Sequence, residues 1–379
     1  MDTHGFPGST GSFLLLAGSF LCGCAISHEM THISPCGTKP VSAEILWYGS
    51  AEPRDRIAND QRCLTVGSPV VMSAPEASFG ALARHDSLAV FSWNIAVGGG
   101  DLLSFLTEEV GVICAGGDTQ PSKIFPHFVL LLQEASRQSP DLPPLDDPSL
   151  AARKTSHAPR PGGDLDVVAV AERCGLAAFY VPSGRNGIDV PGEVLVDKGN
   201  AILSTLPLSD LFAVENPIET ERKVGIGATI PTPDSVPLRL VSAHTEVTST
   251  FHRVLLTGNQ VRVRQVLGLM DVLDAHEEQY GHSLPTLLGG DFNTWSGGES
   301  ALKFLRRAFP DSPKWDGKAT RGPFPTDHIF FRRGLEGGGA NEVSMSPVAG
   351  SYGVIDRAYS SDHLARFVQL WFGSESSGR

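Results

Sequence analysis

The chain has 379 residues, of which 41% are hydrophobic and 19% charged, a composition typical of globular proteins with a large core. Its length fits either one large domain with an extension or two domains. The formal net charge of -12 disfavours indiscriminate binding to DNA or RNA, which requires many lysine or arginine contacts to phosphate, although it is compatible with a local basic groove.

The first predicted element is the apolar run 13–24 within GSFLLLAGSFLCGCAIS. It is short for a membrane span but suits the core of a signal peptide. The ending LCGC resembles a bacterial lipoprotein cleavage box, which implies that Cys24 is lipidated. The preceding MDTHGFPGST lacks the lysine or arginine of most leaders, so a buried apolar segment in a cytoplasmic protein is the alternative. We expect a signal peptide over 1–23 and an exported, membrane-anchored lipoprotein.

The next segment, residues 24–85, is predicted to be an irregular N-terminal extension in which EILWYG suggests one short strand. Beyond the leader and Cys24, the four cysteines allow three disulfide pairings. Cys36 with Cys63 is the favoured bridge, because both lie in this segment. Cys114 and Cys174 are the other two.

A folded domain is predicted over residues 86–373, followed by a tail, 374–379. β-Branched and aromatic residues indicate strands at LAVFSWN, FVLLLQE, NAILST, VGIGATI, LRLVSAH, TLLGGDF, DHIFFR and LARFVQLW. Helices are predicted at DLLSFLTEEVGVI and VVAVAERCGL, and at NQVRVRQVLGLMDVLDAHEEQYG, whose apolar residues keep helical spacing. The Pro-, Asp- and Gly-rich segment 137–165 is predicted to be a surface loop.

Polar side chains stand at the ends of six of these strands, where a sheet meets a loop. One polar residue at the end of a strand is common where the chain turns. The Asp-His pair of YSSDHL, taken alone, would indicate only a polar turn exposed to solvent. Six places that carry Asp, Glu, Asn and His indicate instead that rigid strands direct these groups at one pocket. The residues are Asn94, Glu134, His244, Asp291, Asn293, Asp327, Asp362 and His363.

These side-chain types point to one kind of chemistry. Carboxylate and amide oxygens suit Mg²⁺ or Mn²⁺ rather than zinc. Histidines beside carboxylates suit proton transfer and the stabilisation of negative charge. Together they predict metal-assisted attack of water on a phosphate ester.

The series WN, LLLQE, KGNAILS, SAHTEV, GGDFNTW, DHIFF and SSDHLARF resembles the endonuclease/exonuclease/phosphatase superfamily, and bacterial members of it in particular. Each motif is short, but seven occur in the family's order over residues 88–372. The resemblance implies an α+β fold, a four-layer α/β/β/α sandwich with two packed mixed, mainly antiparallel β-sheets. The abundance of strands agrees with this.

Carried over residue by residue, the resemblance implies a Mg²⁺ site, with Mn²⁺ as the alternative ion. Glu134 is the principal metal ligand, assisted by Asn94, with Asp362 close to the metal. Asp291 positions or deprotonates the attacking water, and Asn293 binds phosphate.

The resemblance also implies roles for two histidines. His244 donates to the phosphoryl oxygens, and His363, oriented by Asp327, is either a general base or a charge stabiliser. Asn200 of KGNAILS lines the site. Arg222 of TERKVG reaches phosphate, although RK replaces the small residues usual in the family at this point.

The expected activity is divalent-metal-dependent hydrolysis of a phosphodiester or phosphomonoester by in-line attack of water, without a covalent enzyme intermediate. The expected substrate is a nucleic acid, a phospholipid or a small phosphoester, and the expected state is a monomer. A non-specific nuclease and a sphingomyelinase-like phospholipase are alternatives. A non-catalytic cell-surface binding lipoprotein is another, but such a protein would be expected to lose one or more of the catalytic side chains.

Overall fold

The computed structural model describes residues 28–36, 44–74, 81–83, 86–114, 125–152, 166–233, 235–247, 260–336, 343–344 and 348–372. The predicted leader with Cys24 and the tail 374–379 lie outside these residues, as does part of the predicted loop, 153–165. Among the residues described, no helix is both long enough and apolar enough to cross a bilayer.

Two β-sheets packed face to face form the centre of the molecule. The first has the strand order β1-β2-β9-β10-β11-β12-β13, and the second β16-β17-β4-β5-β8-β7-β3, with β6 beside β7. In chain order the strands are β1 Met30–His32, β2 Ile45–Ser50, β3 Val70–Met72, β4 Ser87–Asn94, β5 Phe128–Gln138, β6 Ala151–Ala152, β7 Ala177–Asn186, β8 Val196–Ser204, β9 Ser209–Glu215, β10 Val224–Ile230, β11 Leu238–His244, β12 Thr286–Asp291, β13 Asp327–Arg332, β14 Leu335–Glu336, β15 Val343–Ser344, β16 Val348–Val354 and β17 Arg366–Trp371.

Most of the helices cover the outer faces of the sheets, whereas the first contacts one strand of each sheet, β2 and β7. The helices are α1 Pro53–Cys63, α2 Leu102–Phe105, which continues as a π-helical turn over Leu106–Val110, α3 Val167–Cys174, α4 Gln260–Glu278 and α5 Ser300–Ala308, with a short 3-10 turn at Pro148–Leu150. One apolar cluster fills the space between the sheets. A second packs α2 and α3 against one sheet, and a third packs α4 and α5 against the other. The predicted four-layer α+β sandwich is therefore confirmed.

The sheets approach closely next to the strand ends that carry the candidate residues. At Gly289 in β12, a Cβ atom would lie 2.8 Å from the Leu131 side chain and 2.9 Å from Ser92 on the facing sheet. Glycine is therefore needed at this position. The amide of Gln133 also donates to the Ser242 hydroxyl at 3.0 Å, which joins β5 to β11 across the same gap.

The N-terminal extension is not irregular, contrary to the sequence-based prediction. Strand β2 pairs with β9 in parallel, and β3 pairs with β7 antiparallel, so the extension adds to both sheets. The predicted disulfide between Cys36 and Cys63 is confirmed, and a second joins Cys114 to Cys174. Strand β2 confirms the short strand predicted at EILWYG, whereas β1 and β3 have only three residues each, so local sequence patterns carry little sign of them.

Strand β7 was also missed, because it contains Pro182 and Gly184, which usually disfavour a strand. The structure accommodates both at a shift in register against β8, between Pro182 and Gly184.

Candidate active site

The two-residue repeat of the strands explains why the polar strand ends meet. In β4, Val90 belongs to the cluster between the sheets, so Asn94, four residues on, points to the same face. In β11, Leu240 has this position and is followed by His244. Likewise, Leu287 in β12 lies four residues before Asp291, and Ile329 in β13 lies two residues after Asp327. The side chains that this alternation directs between the sheets are Asn94, His244, Asp291 and Asp327.

Strand pairing brings these ends to one edge. His244 is in register with Asp291 in the parallel pair β11/β12, and Asp291 is in register with Asp327 in the antiparallel pair β12/β13. From the other sheet, the Asn94 amide donates to Asp291 Oδ2 at 2.9 Å. Asp291 Oδ1 accepts from the backbone N–H of Asn293 at 2.8 Å, which fixes the carboxylate in place.

Glu134 reaches the same edge through a local irregularity. The register between β5 and β8 shifts between Leu132 and Ala135, and Glu134 adopts a φ of 53°. A positive φ is uncommon for a residue with a side chain and is most often found where a bulge redirects one. Here it brings Glu134 Oε1 to 3.9 Å from His244 Nε2, and the Glu134 side chain is 21% exposed.

His363 and Asp327 form a buried, directly bonded pair. The distance from His363 Nδ1 to Asp327 Oδ2 is 2.8 Å, and Thr326 donates to the same oxygen. Burial favours neutral forms, but the Asp327 carboxylate outweighs it and raises the pKa of His363 to about 9. Burial likewise opposes ionisation of Asp327, yet His363 lowers the pKa of this carboxyl below its usual value. The pair therefore favours an imidazolium beside a carboxylate.

The free face of His363 is directed at Asp291. His363 Nε2 lies 3.8 Å from Asp291 Oδ2, too far for a direct hydrogen bond. Burial, and next the neighbouring Asp327 carboxylate, raise the pKa of Asp291 to about 7. A carboxyl with this pKa can exchange a proton near neutral pH.

His244 is flanked by two carboxylates and one lysine. Its Nε2 lies 3.9 Å from Glu134 Oε1, 3.8 Å from Asp291 Oδ2 and 3.4 Å from Lys223 Nζ. Burial, followed by the charge of Lys223, holds the pKa of His244 well below its usual value, so the ring is neutral. Burial opposes the charge of Lys223 as well, but Glu221 and then Glu134 raise its pKa.

Lys223 was not predicted from the sequence, although it is adjacent to the predicted Arg222. The structure buries Arg222 in an ion pair with Glu215, at 2.5 Å, and in a hydrogen bond of 2.7 Å to the carbonyl of Pro182. Consecutive residues of an extended chain point in opposite directions, so only one of the two can face the site. The RK dipeptide gives no sign of which residue this is.

Two further predicted residues lie at the margin of the cluster. Asp362 is 51% exposed and is ion-paired with Arg321 at 2.7 Å, although its Oδ1 lies 3.8 Å from His363 Nε2. Asn200 is buried, and its amide donates to the carbonyls of Val224 and Ser242 at 2.8 and 3.2 Å, which joins the two sheets.

Asn293 lies at the centre of the cluster. It has a φ of 49°, and its amide donates to the Thr245 carbonyl at 2.9 Å. This bond fixes the side chain beside Asp291 while leaving the amide oxygen available.

Two groups of side chains at this edge are candidates to hold a metal ion. Asp291, Asp327 and His363 offer ligand atoms within 4.8 Å of one another, but Asp327 and His363 already bond to each other. The other group consists of the Glu134 carboxylate and the Asn94 amide, whose oxygen accepts one hydrogen bond from the Ala96 N–H, at 3.0 Å, and keeps a second lone pair. Among the residues described, the Glu134 carboxylate accepts no hydrogen bond, so its oxygens are available to a cation. Carboxylate and amide oxygens match the preference of Mg²⁺ or Mn²⁺, so the second group fits better.

A comparison with known protein families finds the same family that the order of the motifs indicates. The family described as Endonuclease/Exonuclease/phosphatase matches residues 91–369 of the chain. A search among curated proteins found no match.

Several solved structures are similar to this one. An endonuclease/exonuclease/phosphatase from Beutenbergia cavernae DSM 12333 is 16% identical, with 76% of this chain and 72% of that chain covered and a TM-score of 0.46. The human Nocturnin catalytic domain with bound sulfate anion is 16% identical, with 77% and 97% covered and a TM-score of 0.46. Sphingomyelinase C from Streptomyces griseocarneus is 13% identical, with 75% and 99% covered and a TM-score of 0.36. Identities and TM-scores this low assign no substrate to this chain.

Proposed function

The chain belongs to the Endonuclease/Exonuclease/phosphatase family, and we propose that it is a divalent-metal-dependent phosphoesterase that hydrolyses a phosphodiester or phosphomonoester by in-line attack of water. One observation carries the proposal. Acidic and basic side chains from both sheets meet at one edge, where His244 and His363 stand 3.8–3.9 Å from the carboxylates they face. Such separations leave space for a bridging water, ion or phosphoryl oxygen.

Glu134 and Asn94 would hold the metal ion, with Mg²⁺ or Mn²⁺ as the ions that suit their oxygens. Asp362 would contribute from the rim of the site if its ion pair with Arg321 opens. A divalent cation in this position supplies Lewis-acid polarisation of a phosphoryl oxygen and neutralises part of the charge that develops during attack.

The remaining residues orient the reactants. Asp291, held by Asn94 and by the backbone of Asn293, orients the attacking water and accepts its proton. His363 has its Nδ1 fixed by Asp327, so its Nε2 is directed at the space in front of Asp291 and donates to a phosphoryl oxygen.

The opposite side of the same space is formed by His244 and Lys223. Their nitrogens lie 3.4 Å apart, so Lys223 and the Nε2–H tautomer of neutral His244 can both donate to one phosphate group. Asn293, whose amide oxygen and second amide hydrogen are not used by the Thr245 bond, is positioned to bind the same phosphate. Donors that are in place before the reaction stabilise negative charge without a cost of reorganisation.

The test is a hydrolysis screen in Mg²⁺ and in Mn²⁺ with bis-p-nitrophenyl phosphate, p-nitrophenyl phosphate, plasmid DNA, RNA and sphingomyelin in parallel. We expect hydrolysis of at least one ester that EDTA abolishes and added metal restores. The DNA, RNA and sphingomyelin arms separate the nuclease and phospholipase alternatives. Absence of turnover on every ester would support the non-catalytic binding protein, and turnover undiminished in EDTA would contradict the metal mechanism.

We also propose that the protein is exported and anchored through lipidated Cys24. Two disulfides, Cys36–Cys63 and Cys114–Cys174, support an oxidising compartment, because such bonds are rare where thiols are kept reduced. Mass spectrometry of the native N-terminus tests this. A lipid-modified chain that begins at Cys24 is expected, whereas an intact Met1 on a cytosolic chain would contradict export.

A further inference from the structure

A small pocket lies beside the catalytic edge, between helix α1 of the N-terminal extension and the strands of the family domain. Its volume is about 50 Å³, and its polar lining includes Arg62, Ser183, Lys198, Thr220 and Glu221. A single water needs roughly 10–15 Å³ measured in this way, so the pocket holds about three or four waters, which is the size of a phosphate group. We call it the Arg62 pocket.

The Arg62 pocket is connected to the reaction centre by a short chain of charged contacts. Lys198 Nζ lies 3.5 Å from Glu221 Oε2, and Lys223 Nζ lies 3.3 Å from the same oxygen. Lys223 in turn lies 3.4 Å from His244 Nε2. Lys223 alone therefore separates Glu221, in the wall of the pocket, from the histidine that faces the scissile phosphate.

The lining of the Arg62 pocket carries two cations, Arg62 and Lys198, besides the ion-paired Arg222, and one carboxylate, Glu221, although the whole chain has a formal net charge of -12. Lys198 and Lys223 share the single carboxylate of Glu221. The Arg62 guanidinium donates to the carbonyls of Ala58 and Thr220, at 3.2 and 3.1 Å, and has no carboxylate partner among the described residues. A concentration of cations in a cleft attracts an anionic group of suitable size.

Three contacts hold helix α1, and with it Arg62, against the rest of the fold. It precedes Cys63, which is bonded to Cys36, and Asn59 on the same helix donates to the Asn216 carbonyl at 3.3 Å. Asp55 anchors the start of the helix through an ion pair of 2.6 Å with Arg264. Helix α1 lies outside residues 91–369, so this cation is an addition of the present chain to the matched family region.

We propose that the Arg62 pocket binds a second phosphate group of the substrate, next to the phosphate that is hydrolysed. The N-terminal extension then selects substrates that carry two neighbouring phosphates. This inference rests on the proposed phosphoesterase function. The second phosphate is either an internal phosphodiester of an oligonucleotide or a terminal phosphate, and both offer the same anionic oxygens to Arg62 and Lys198.

The kinetic test compares TpT, pTpT and TpTpT as substrates for the wild type and Arg62→Gln, with bis-p-nitrophenyl phosphate as a reference that has one phosphate. Loss of one charge-assisted contact is expected to raise KM about tenfold for substrates with a second phosphate. The values for TpT and the reference should stay unchanged. An effect on pTpT alone identifies a terminal phosphate, and an effect on TpTpT alone identifies an internal one.

A matched control is available on the same helix. Arg56 is exposed on α1 and is not part of the pocket lining, so Arg56→Gln removes the same charge at a different face. Arg56→Gln should leave every KM unchanged, and Arg62→Lys should recover most of the lost affinity. In addition, the slope of log KM against log salt for pTpT should fall by about one in Arg62→Gln only.

A binding measurement without metal separates this inference from the proposed function. In EDTA, calorimetry should show that the wild type and Arg56→Gln bind thymidine 3′,5′-bisphosphate, whose two phosphates flank one nucleoside, more tightly than thymidine 5′-monophosphate, and that Arg62→Gln loses this preference. Hydrolysis of bis-p-nitrophenyl phosphate with no effect of Arg62→Gln in either experiment would overturn the pocket but keep the phosphoesterase. Equal KM changes on all substrates, or equal effects of the Arg56 and Arg62 variants, would also overturn the pocket.

Discussion

Buried charges occur in this molecule in two arrangements that differ in how closely the charged atoms approach. In the pairs Arg222–Glu215 and Arg262–Glu299, nitrogen and oxygen lie 2.5 and 2.6 Å apart. At the edge that carries the candidate residues, the neutral ring of His244 stands 3.9 Å from the Glu134 carboxylate. Direct contact satisfies both partners and stabilises the fold. Side chains that are separated keep atoms free for hydrogen bonding or metal binding, and a substrate or a metal ion can use these atoms.

This difference predicts which substitutions affect activity and which affect folding. The clearest case is Glu134→Gln, because an amide cannot supply the negative charge that a hard cation requires. We expect the phosphodiesterase rate to fall by about 10³–10⁴-fold, equivalent to roughly 4–5 kcal/mol of transition-state stabilisation. The melting temperature should change little, since the carboxylate accepts no hydrogen bond from the described residues. Full activity in this variant would remove Glu134 from the mechanism.

For Arg222→Gln we expect the opposite outcome, a loss of stability rather than of activity. Its removal leaves the Glu215 carboxylate buried without a cation, and losses of this kind cost about 3–5 kcal/mol of unfolding free energy. The adjacent Lys223→Gln is the matched comparison, because it should lower kcat/KM about tenfold with a smaller effect on stability. Urea unfolding and kcat/KM measured on both variants give the result. If Arg222→Gln lost activity without stability, the division into two arrangements would be wrong at this site.

His363 and Asp327 combine both arrangements, since they touch each other while His363 Nε2 faces a gap. His363→Ala should lower kcat by about 10² or more, the usual scale for a positioned acid–base group. Asp327→Asn should cost less, and the double variant should cost about as much as His363→Ala alone, because both residues act on one step. Losses that multiply independently in kcat/KM would show that Asp327 does not orient His363.

A smaller effect is expected far from the site, at His276 in helix α4. Burial, and next the charge of Arg239, lower the pKa of His276 to about 4, and its Nδ1 has no hydrogen-bond partner among the described residues. The folded pKa is below the unfolded value of about 6.5, so the unfolded chain binds more protons as pH falls between these values. This histidine should therefore remove about 2 kcal/mol of stability between pH 6.5 and 4.

Urea unfolding of the wild type and His276→Leu across this pH range measures the contribution. The leucine variant should lose less stability on acidification, with little change in activity at pH 7. Parallel pH profiles for the two proteins would show that His276 does not titrate on unfolding.

The sequence predicted most of the side chains that meet at this edge because strand alternation and short motifs are local features. Asn94, His244 and Asp291 end apolar runs, and a strand that is buried on one face directs its last residues predictably. The two-sheet sandwich followed from the order of these runs together with the family resemblance.

What the sequence missed depends on contacts between distant segments. Strand β3 has three residues and is defined by its pairing with β7, and Arg62 becomes part of a pocket only because α1 packs beside Lys198 and Thr220. The choice between Arg222 and Lys223 depends on which of two adjacent side chains faces the edge, and no local pattern encodes that choice.

A divalent cation in the gap beside Glu134 is the central element of the proposed mechanism. Calorimetric titration of Mn²⁺ into the purified wild type and into Glu134→Gln tests this claim without any substrate. The wild type should bind Mn²⁺, and Glu134→Gln should bind it at least tenfold more weakly, while Arg222→Gln binds it as the wild type does under conditions where it is folded. Equal affinity in the wild type and Glu134→Gln would contradict the assignment of the metal site to this edge.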